Sequence, residues 1–223
     1  FIINLYNSQK LPKVIMLSGQ KGIGKFTLSN HFLSYVYDKD NYNLETKTIN
    51  DQTQFFKQNL NDIYPNIVCL SGDNSNTIKI DDIRVLKSTI LKSTILSRDR
   101  FIILDDIELF NTNSLNALLK VIEEPTSNNY FILINNNTKP LIETISSRAL
   151  EIRIFLSNKS RLGIIESLLK KKSLKVHIDP ITSNLAPGNF ILFNKICELN
   201  KIDISDNLLV NIKKLLDLYK KNK

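Results

Sequence analysis

The first two-thirds of the chain alternates short apolar runs with amphipathic stretches. Val14–Ser18, Asn66–Ser71, Phe101–Leu104, Tyr130–Ile134 and Leu150–Phe155 are the apolar runs, each bounded by polar or turn-forming residues. Between them, Phe26–Tyr37, Asp82–Leu96 and Leu115–Glu124 predict helices. Ile83, Leu86, Ile90 and Leu91 share one helical face, and so do Ala117, Leu118, Val121 and Ile122, a run that Pro125 stops. Short apolar strands separated by helices predict an α/β fold with a parallel sheet covered on both faces. After Phe155 the strand signal disappears. Lys159–Lys172, with Leu162, Ile165, Leu168 and Leu169 on one face, reads as a helix, as do Phe190–Leu199 and Asn207–Tyr219. Gly72–Thr77 and the Asn/Asp/Gln-rich Asn41–Gln54 read as loops. The chain holds no internal repeat. This predicts one domain over 1–155, a small helical domain over 156–204, and the start of a further region over 205–223.

Composition narrows the class. With 42% hydrophobic and 23% charged residues in 223, the chain has the make-up of a globular protein able to bury its own core. Its two cysteines, Cys69 and Cys197, exclude a disulfide scaffold and a four-cysteine zinc site, and fit the reducing cytoplasm. No apolar run approaches the ~20 residues that span a bilayer, so no membrane role is expected. Phe1–Tyr6 is apolar but lacks the basic start and long core of a signal peptide. Without an initiator Met, the chain reads as a section of a longer one. The net charge of +8 is uneven. Residues 156–223 carry 13 Lys/Arg against 6 Asp/Glu, while residues 1–155 are nearly balanced. Such a basic region either meets nucleic acid or reflects the Lys-, Asn- and Ile-rich composition that AT-rich codon usage produces. Lys170, Lys171 and Lys172 have no aromatic residues interleaved with them.

Four motifs carry candidate chemistry. Gly19-Gln20-Lys21-Gly22-Ile23-Gly24-Lys25-Phe26-Thr27 follows a strand and opens a helix, the context of a phosphate-binding loop. Gly19, Gly22 and Gly24 would let backbone N–H groups surround a phosphate at a helix N-terminus, and Lys25 would reach the terminal phosphates. The residue after the lysine should be Ser or Thr, whose hydroxyl ligates Mg²⁺. Here it is Phe26, and Thr27 lies about 100° further round the helix. The second motif, Phe101–Asp106, is an apolar strand ending in two acids. Asp105 would hold Mg²⁺ and Asp106 would polarise the attacking water, one carbon short of the glutamate that does so best. The third places Asn135 at the end of a strand, within reach of a γ-phosphate or its attacking water, although an Asn-rich turn needs no ligand. The fourth is Ser146-Ser147-Arg148, where the arginine could stabilise phosphoryl-transfer charge in a neighbour's site.

Taken together, order and spacing resemble a known family. Gly19–Thr27, Tyr64-Pro65-Asn66, Ile80–Arg84 and Ile103–Asn111 look like the bacterial clamp-loader branch of the AAA+ ATPases. Asn116–Pro125 (NALLKVIEEP) is the most specific stretch, and Thr144–Arg148 stands where that family has its Ser-Arg-Cys motif. The resemblance covers roughly residues 1–200. It implies a RecA-like AAA+ parallel sheet with flanking helices, a helical lid domain and then a collar. It also implies that Arg148, beside Ser147, acts in trans on ATP held by an adjacent motor subunit of DNA polymerase III. The implied partners are tau/gamma and delta subunits, the sliding clamp and primed DNA.

Several departures sharpen that expectation. The family's four-cysteine zinc module is missing, so no zinc is expected. Ala149 replaces the cysteine of Ser-Arg-Cys. Ala186-Pro187-Gly188 is followed by Asn189, where the family's second sensor has arginine. Phe26, Asp106 and Asn189 all fall on hydrolytic machinery while Arg148 is kept. The expected protein is therefore a non-motor subunit that binds ATP weakly at Gly19, Gly22, Gly24, Lys25, Thr27, Asp105, Asp106 and Asn135, with Mg²⁺ handling left open. The alternative is an active clamp-loader ATPase. A stand-alone GTPase would need Asp where Thr138-Lys139-Pro140 is followed by Leu141, and a small-molecule kinase would need an arginine-rich lid where only Arg161 occurs.

Overall fold

The structure is a computed structural model that describes residues 1–72, 78–92, 98–126, 128–203 and 207–221. The chain divides into two compact units. One comprises Phe1–Gln20 and Lys25–Ile154; the other comprises Lys21–Gly24 and Phe155–Lys223.

In the first unit, α1 (Ile2–Asn7) precedes β1 (Val14–Ser18) and α2 (Lys25–Tyr37). A two-residue pair, β2 (Tyr42–Asn43) and β3 (Thr48–Ile49), then leads to α3 (Gln54–Leu60), β4 (Ile67–Ser71), α4 (Ile80–Ile90) and β5 (Arg100–Asp105). These are followed by α5 (Thr112–Glu123), β6 (Asn129–Asn135), α6 (Glu143–Ser146) and β7 (Leu150–Arg153). Five strands form one parallel sheet in the order β4-β5-β6-β1-β7. The expected strands all occur in it.

Because successive strand residues face opposite sides, the apolar runs feed two cores. Val14, Met16, Ile102, Leu104, Phe131 and Leu133 pack with α4 and α5. Ile15, Leu17, Phe101, Ile103, Ile132 and Ile134 pack with α1, α2 and α3. On the second side Tyr6, Phe32, Phe101 and Tyr130 form an aromatic cluster, with Phe101 stacked on Tyr130 at 5.2 Å.

Two local differences from expectation have physical causes. The stretch Asn41–Gln54 is not all loop: Tyr42 pairs with Ile49, and Asn43 Oδ1 accepts from the backbone N–H groups of Glu45 and Thr46, turning the chain back. α4 begins two residues before the expected Asp82, because the Asp82 carboxylate accepts from the Lys79 N–H at 2.7 Å and caps the helix there. It ends at Ile90, with Leu91 as its C-cap, short of the expected Leu96; residues 93–96 of that expected helix, like most of the expected loop Gly72–Thr77, lie outside the described residues.

The C-terminal end of α4 is anchored by the sheet. Arg100 is only 3% exposed, and its Nη1 donates to the carbonyls of Thr89, Ile90 and Lys92 at 2.9, 3.3 and 3.2 Å. Its strand partner Asn129 donates to the Ile90 carbonyl at 3.2 Å. Replacing Arg100 by methionine should therefore lower stability by about 1–2 kcal/mol, since orphaned helix-end carbonyls stay desolvated. A urea melt of Arg100→Met with an unchanged midpoint would contradict this.

In the second unit, α7 (Asn158–Lys172), α8 (Pro187–Leu199) and α9 (Leu208–Lys221) are helical. Ser157 caps α7, its hydroxyl accepting from the Ser160 N–H, and Pro187 opens α8 at a first-turn position that needs no N–H. Ile165, Phe190 and Ile191 form its small core with Leu168, Leu169 and Leu185 beside them. Asn194, fully buried, accepts from the His177 N–H at 2.6 Å and donates to the Phe190 carbonyl, tying the preceding loop to α8.

Candidate nucleotide loop and arginine site

The glycine loop leaves β1 and enters α2. Gly19, Gly22 and Gly24 have φ of +155°, +85° and +104°, backbone that side-chain-bearing residues rarely adopt. Lys25, the first residue of α2, is buried, and its Nζ donates to the carbonyls of Gly19 at 2.6 Å and Gln20 at 2.9 Å. Phe26 is 39% exposed, and Thr27 is exposed on the first turn. The loop thus depends on glycine at these three positions, and the Lys25 ammonium is turned onto the loop's own carbonyls.

The tip of the loop, Lys21–Gly24, groups with the second unit. There the Gly188 N–H donates to the Gly22 carbonyl at 2.8 Å, and Asn189 Nδ2 donates to the Lys21 carbonyl at 3.0 Å. A Cβ on Gly22 would lie 2.6 Å from Asn189 Oδ1, and one on Gly188 2.9 Å from the Gly22 carbonyl oxygen. Both glycines are therefore needed for close backbone approach. Asn189, at the family's arginine position, serves as a brace for the loop tip.

At the carboxyl ends of the strands the acids and amides come together. The Gly19 N–H donates to the Asn135 carbonyl at 3.2 Å, joining the start of the loop to the end of β6. Asp105 ends β5, and its Oδ1 accepts from the Asp106 N–H at 2.9 Å. Asp106 is buried with φ +51°, a left-handed backbone that carries the chain off the strand. Its Oδ1 accepts from Asn136 Nδ2 at 2.6 Å. Asn135 is buried, and its Oδ1 accepts from the Asn137 N–H at 3.0 Å. The amide that meets the second acid is therefore that of Asn136, the residue after Asn135.

Sequence reasoning also missed Glu108. This carboxylate is 5% exposed and accepts from the Asn136 N–H at 3.1 Å, the Thr138 N–H at 3.3 Å and the Thr138 hydroxyl at 2.7 Å. It fixes the turn after β6 and so the amides on it. The signal available in the sequence is an acid three residues past Asp105. The tight turn Ile107–Leu109 carries such a residue back toward the strand ends.

Two further groups lie on the sheet, one at the end of β1 and one in β4. The Ser18 hydroxyl donates to Glu151 Oε1 at 2.5 Å, which holds the Glu151 carboxyl below the usual range. Cys69, half-buried in β4, has its thiol pushed up to about 12 by burial, which disfavours the thiolate.

Arg148 follows α6 and has a separate set of partners. Its Nε and Nη2 lie 2.8 and 2.6 Å from Glu123 Oε1, and Nη1 donates to the Thr144 carbonyl at 2.9 Å. Ser147 Oγ is 3.4 Å from Nη1 and donates to the same Thr144 carbonyl. The Arg148 side chain remains 37% exposed.

A family model described as DNA polymerase III, delta subunit, matches residues 1–157. The DNA polymerase III subunit delta' of Buchnera aphidicola subsp. Baizongia pistaciae is 28% identical over 175 residues, covering 76% of this chain and 52% of that protein. The DNA polymerase III subunit gamma of Buchnera aphidicola subsp. Schizaphis graminum is 26% identical over 179 residues, covering 76% of this chain and 46% of that protein. The chain thus spans about half the length of these relatives. Among solved structures, the RuvB Holliday junction branch migration motor of Thermotoga maritima aligns with a TM-score of 0.50 at 17% identity, over 97% of this chain and 65% of that one. That likeness bears on fold alone, and it agrees with the expected RecA-like AAA+ sheet with flanking helices. With residues 1–157 matched to the family model and delta-prime subunits among its relatives, the chain belongs to the DNA polymerase III delta-subunit family.

Proposed function

We propose that this chain is a delta-prime-like subunit of the DNA polymerase III clamp loader, a largely non-hydrolysing stator that lends Arg148 to ATP on an adjacent motor subunit during sliding-clamp loading. The observation that carries this reading is the contrast between two places in the same chain. Phe26 supplies no hydroxyl for Mg²⁺, Asp106 is engaged by Asn136, and Asn189 braces the loop tip instead of supplying a cation. Meanwhile Arg148 keeps an exposed guanidinium, held on its own supports. Its partners on this reading are gamma/tau and delta subunits, the sliding clamp and primed DNA.

ATP is the ligand that the fold family implies, and the residues fit it unevenly. The phosphate side fits: the glycine backbone has cradle conformations, and a Cβ on Gly24 would meet nothing within 4 Å, so its surroundings are open. Gly19, Gly22, Gly24 and Lys25 would hold the phosphates. The metal side does not fit, because the position after Lys25 has no oxygen ligand and Thr27 lies elsewhere on the helix. No hydrolytic step is assigned to this chain.

Its gamma relatives favour one competing reading, an active clamp-loader ATPase in which Lys25, Asp105 and Asn135 serve a functional site. Phosphate release by the purified chain with ATP and Mg²⁺ separates the two. The stator reading expects no turnover above background and no effect of Lys25→Ala. Turnover that Lys25→Ala abolishes would establish the ATPase reading instead.

A further inference from the structure

Glu123, which meets Arg148, lies at the end of α5, before Glu124 and Pro125. Pro125 prevents the helix from continuing, so Glu123 is its last residue, standing directly after the buried Val121 and Ile122. On the other side of the pair, Arg148 follows α6, which is pinned by the fully buried Ile145. Both partners therefore sit on elements fixed by the core. A guanidinium carries five N–H groups in one rigid plane. Glu123 Oε1 takes the edge formed by Nε and Nη2, at 2.8 and 2.6 Å, and the Thr144 carbonyl takes Nη1 at 2.9 Å. Those contacts set the plane of the group. The edge shared by Nη1 and Nη2, which points away from the residue's own stem, is the one suited to grip two oxygens of a phosphate.

We propose that Glu123 is a positioning residue for Arg148, orienting the guanidinium so that its outer edge meets a nucleotide phosphate held by a neighbouring subunit. The proposal rests on the arginine-finger reading above. An exposed ion pair adds little to stability; its value here is orientational, because an unheld arginine spreads over many rotamers and a small misplacement of a charge-stabilising group slows chemistry steeply.

The test uses the full chain assembled with its gamma-type and delta subunits, clamp and primed DNA, and reads kcat and KM for ATP. Glu123→Ala should lower kcat about tenfold with KM unchanged, well short of the loss in Arg148→Ala. Glu123→Gln, which keeps an oxygen acceptor, should recover most of that rate. The double variant should match Arg148→Ala alone, since orientation is irrelevant once the arginine is gone. Should Glu123→Ala fail to assemble, Glu123→Asp carries the same test with an intermediate kcat expected. If Arg148→Ala slows the complex while Glu123→Ala leaves kcat unchanged or raises it, or if the two losses multiply, Glu123 does not position the arginine. If Arg148→Ala itself leaves kcat unchanged, the arginine-finger reading fails, and the positioning role with it.

Discussion

Replacing Arg148 with alanine is expected to leave the chain folded and able to assemble, yet to lower DNA-stimulated ATP turnover by the complex ~10³–10⁵-fold where chemistry limits the rate. The fold should survive because the side chain is 37% exposed and its ion pair with Glu123 lies at the surface, where such pairs contribute ~0–1 kcal/mol. Turnover should fall because charge spread over the transferring phosphoryl oxygens is stabilised only by a cation at the right place, and a guanidinium stays protonated throughout. Arg148→Lys should recover little, since a point ammonium cannot reproduce the bidentate edge or the contacts with Glu123 and Thr144. The measurement is steady-state phosphate release by the reconstituted complex, alongside a thermal melt of the variant chain. Unchanged release would remove the trans role from Arg148 altogether.

How much of this was legible beforehand depended on whether the information was local. β1, β5 and β6 were readable because both faces of each strand are buried, which leaves unbroken runs such as Phe101–Leu104 and Phe131–Ile134. α5 was readable because Leu115, Leu118, Val121 and Ile122 recur at helical spacing and Pro125 ends it. α3 was not. Its Thr53 cap, accepting from the Phe56 N–H at 3.1 Å, lies within a polar stretch of sequence, and Phe55 is its sole buried residue. α1 was missed for another reason: six residues give too little periodicity to separate a helix from an extended apolar run.

The candidate site divides along the same line. The glycine loop announces itself because its chemistry is backbone chemistry at fixed spacing. Glu108 with Thr138, Asp106 with Asn136, and Arg148 with Glu123 are pairs 30, 30 and 25 residues apart. Only the ordering of strands in the sheet brings the first two pairs together, and only the placing of α5 beside α6 brings the third. An Asn-rich run such as Asn135-Asn136-Asn137 offers three equivalent amides to a reader of sequence. Asn136, the first residue past β6, is the one whose side chain meets Asp106 where the left-handed backbone carries the chain off β5.

Nucleotide affinity is where the loop's altered residues should act most directly. Gly22 and Gly24 can offer backbone N–H groups to a diphosphate, but Lys25 must first exchange its contacts with the Gly19 and Gln20 carbonyls. On the stator reading, Phe26 would leave the metal without its hydroxyl ligand, and Asn189 would leave the γ-phosphate without the positive charge that the family resemblance implies there. Both losses fall on ATP–Mg²⁺ more heavily than on a metal-free diphosphate. A hydrogen bond to a charged group is worth ~1.5–3 kcal/mol, so losing one should weaken ATP roughly 10–100-fold relative to an intact site. Calorimetry on the isolated chain should therefore find weak binding, ATP and ADP close in affinity, and little change when Mg²⁺ is chelated. Phe26→Thr should restore part of the Mg²⁺ dependence, because the hydroxyl then returns to the first turn of α2 beside Lys25. Submicromolar ATP binding that collapses on chelation of Mg²⁺ would mean that Thr27 or another group already ligates the metal, and the stator reading would fall with it.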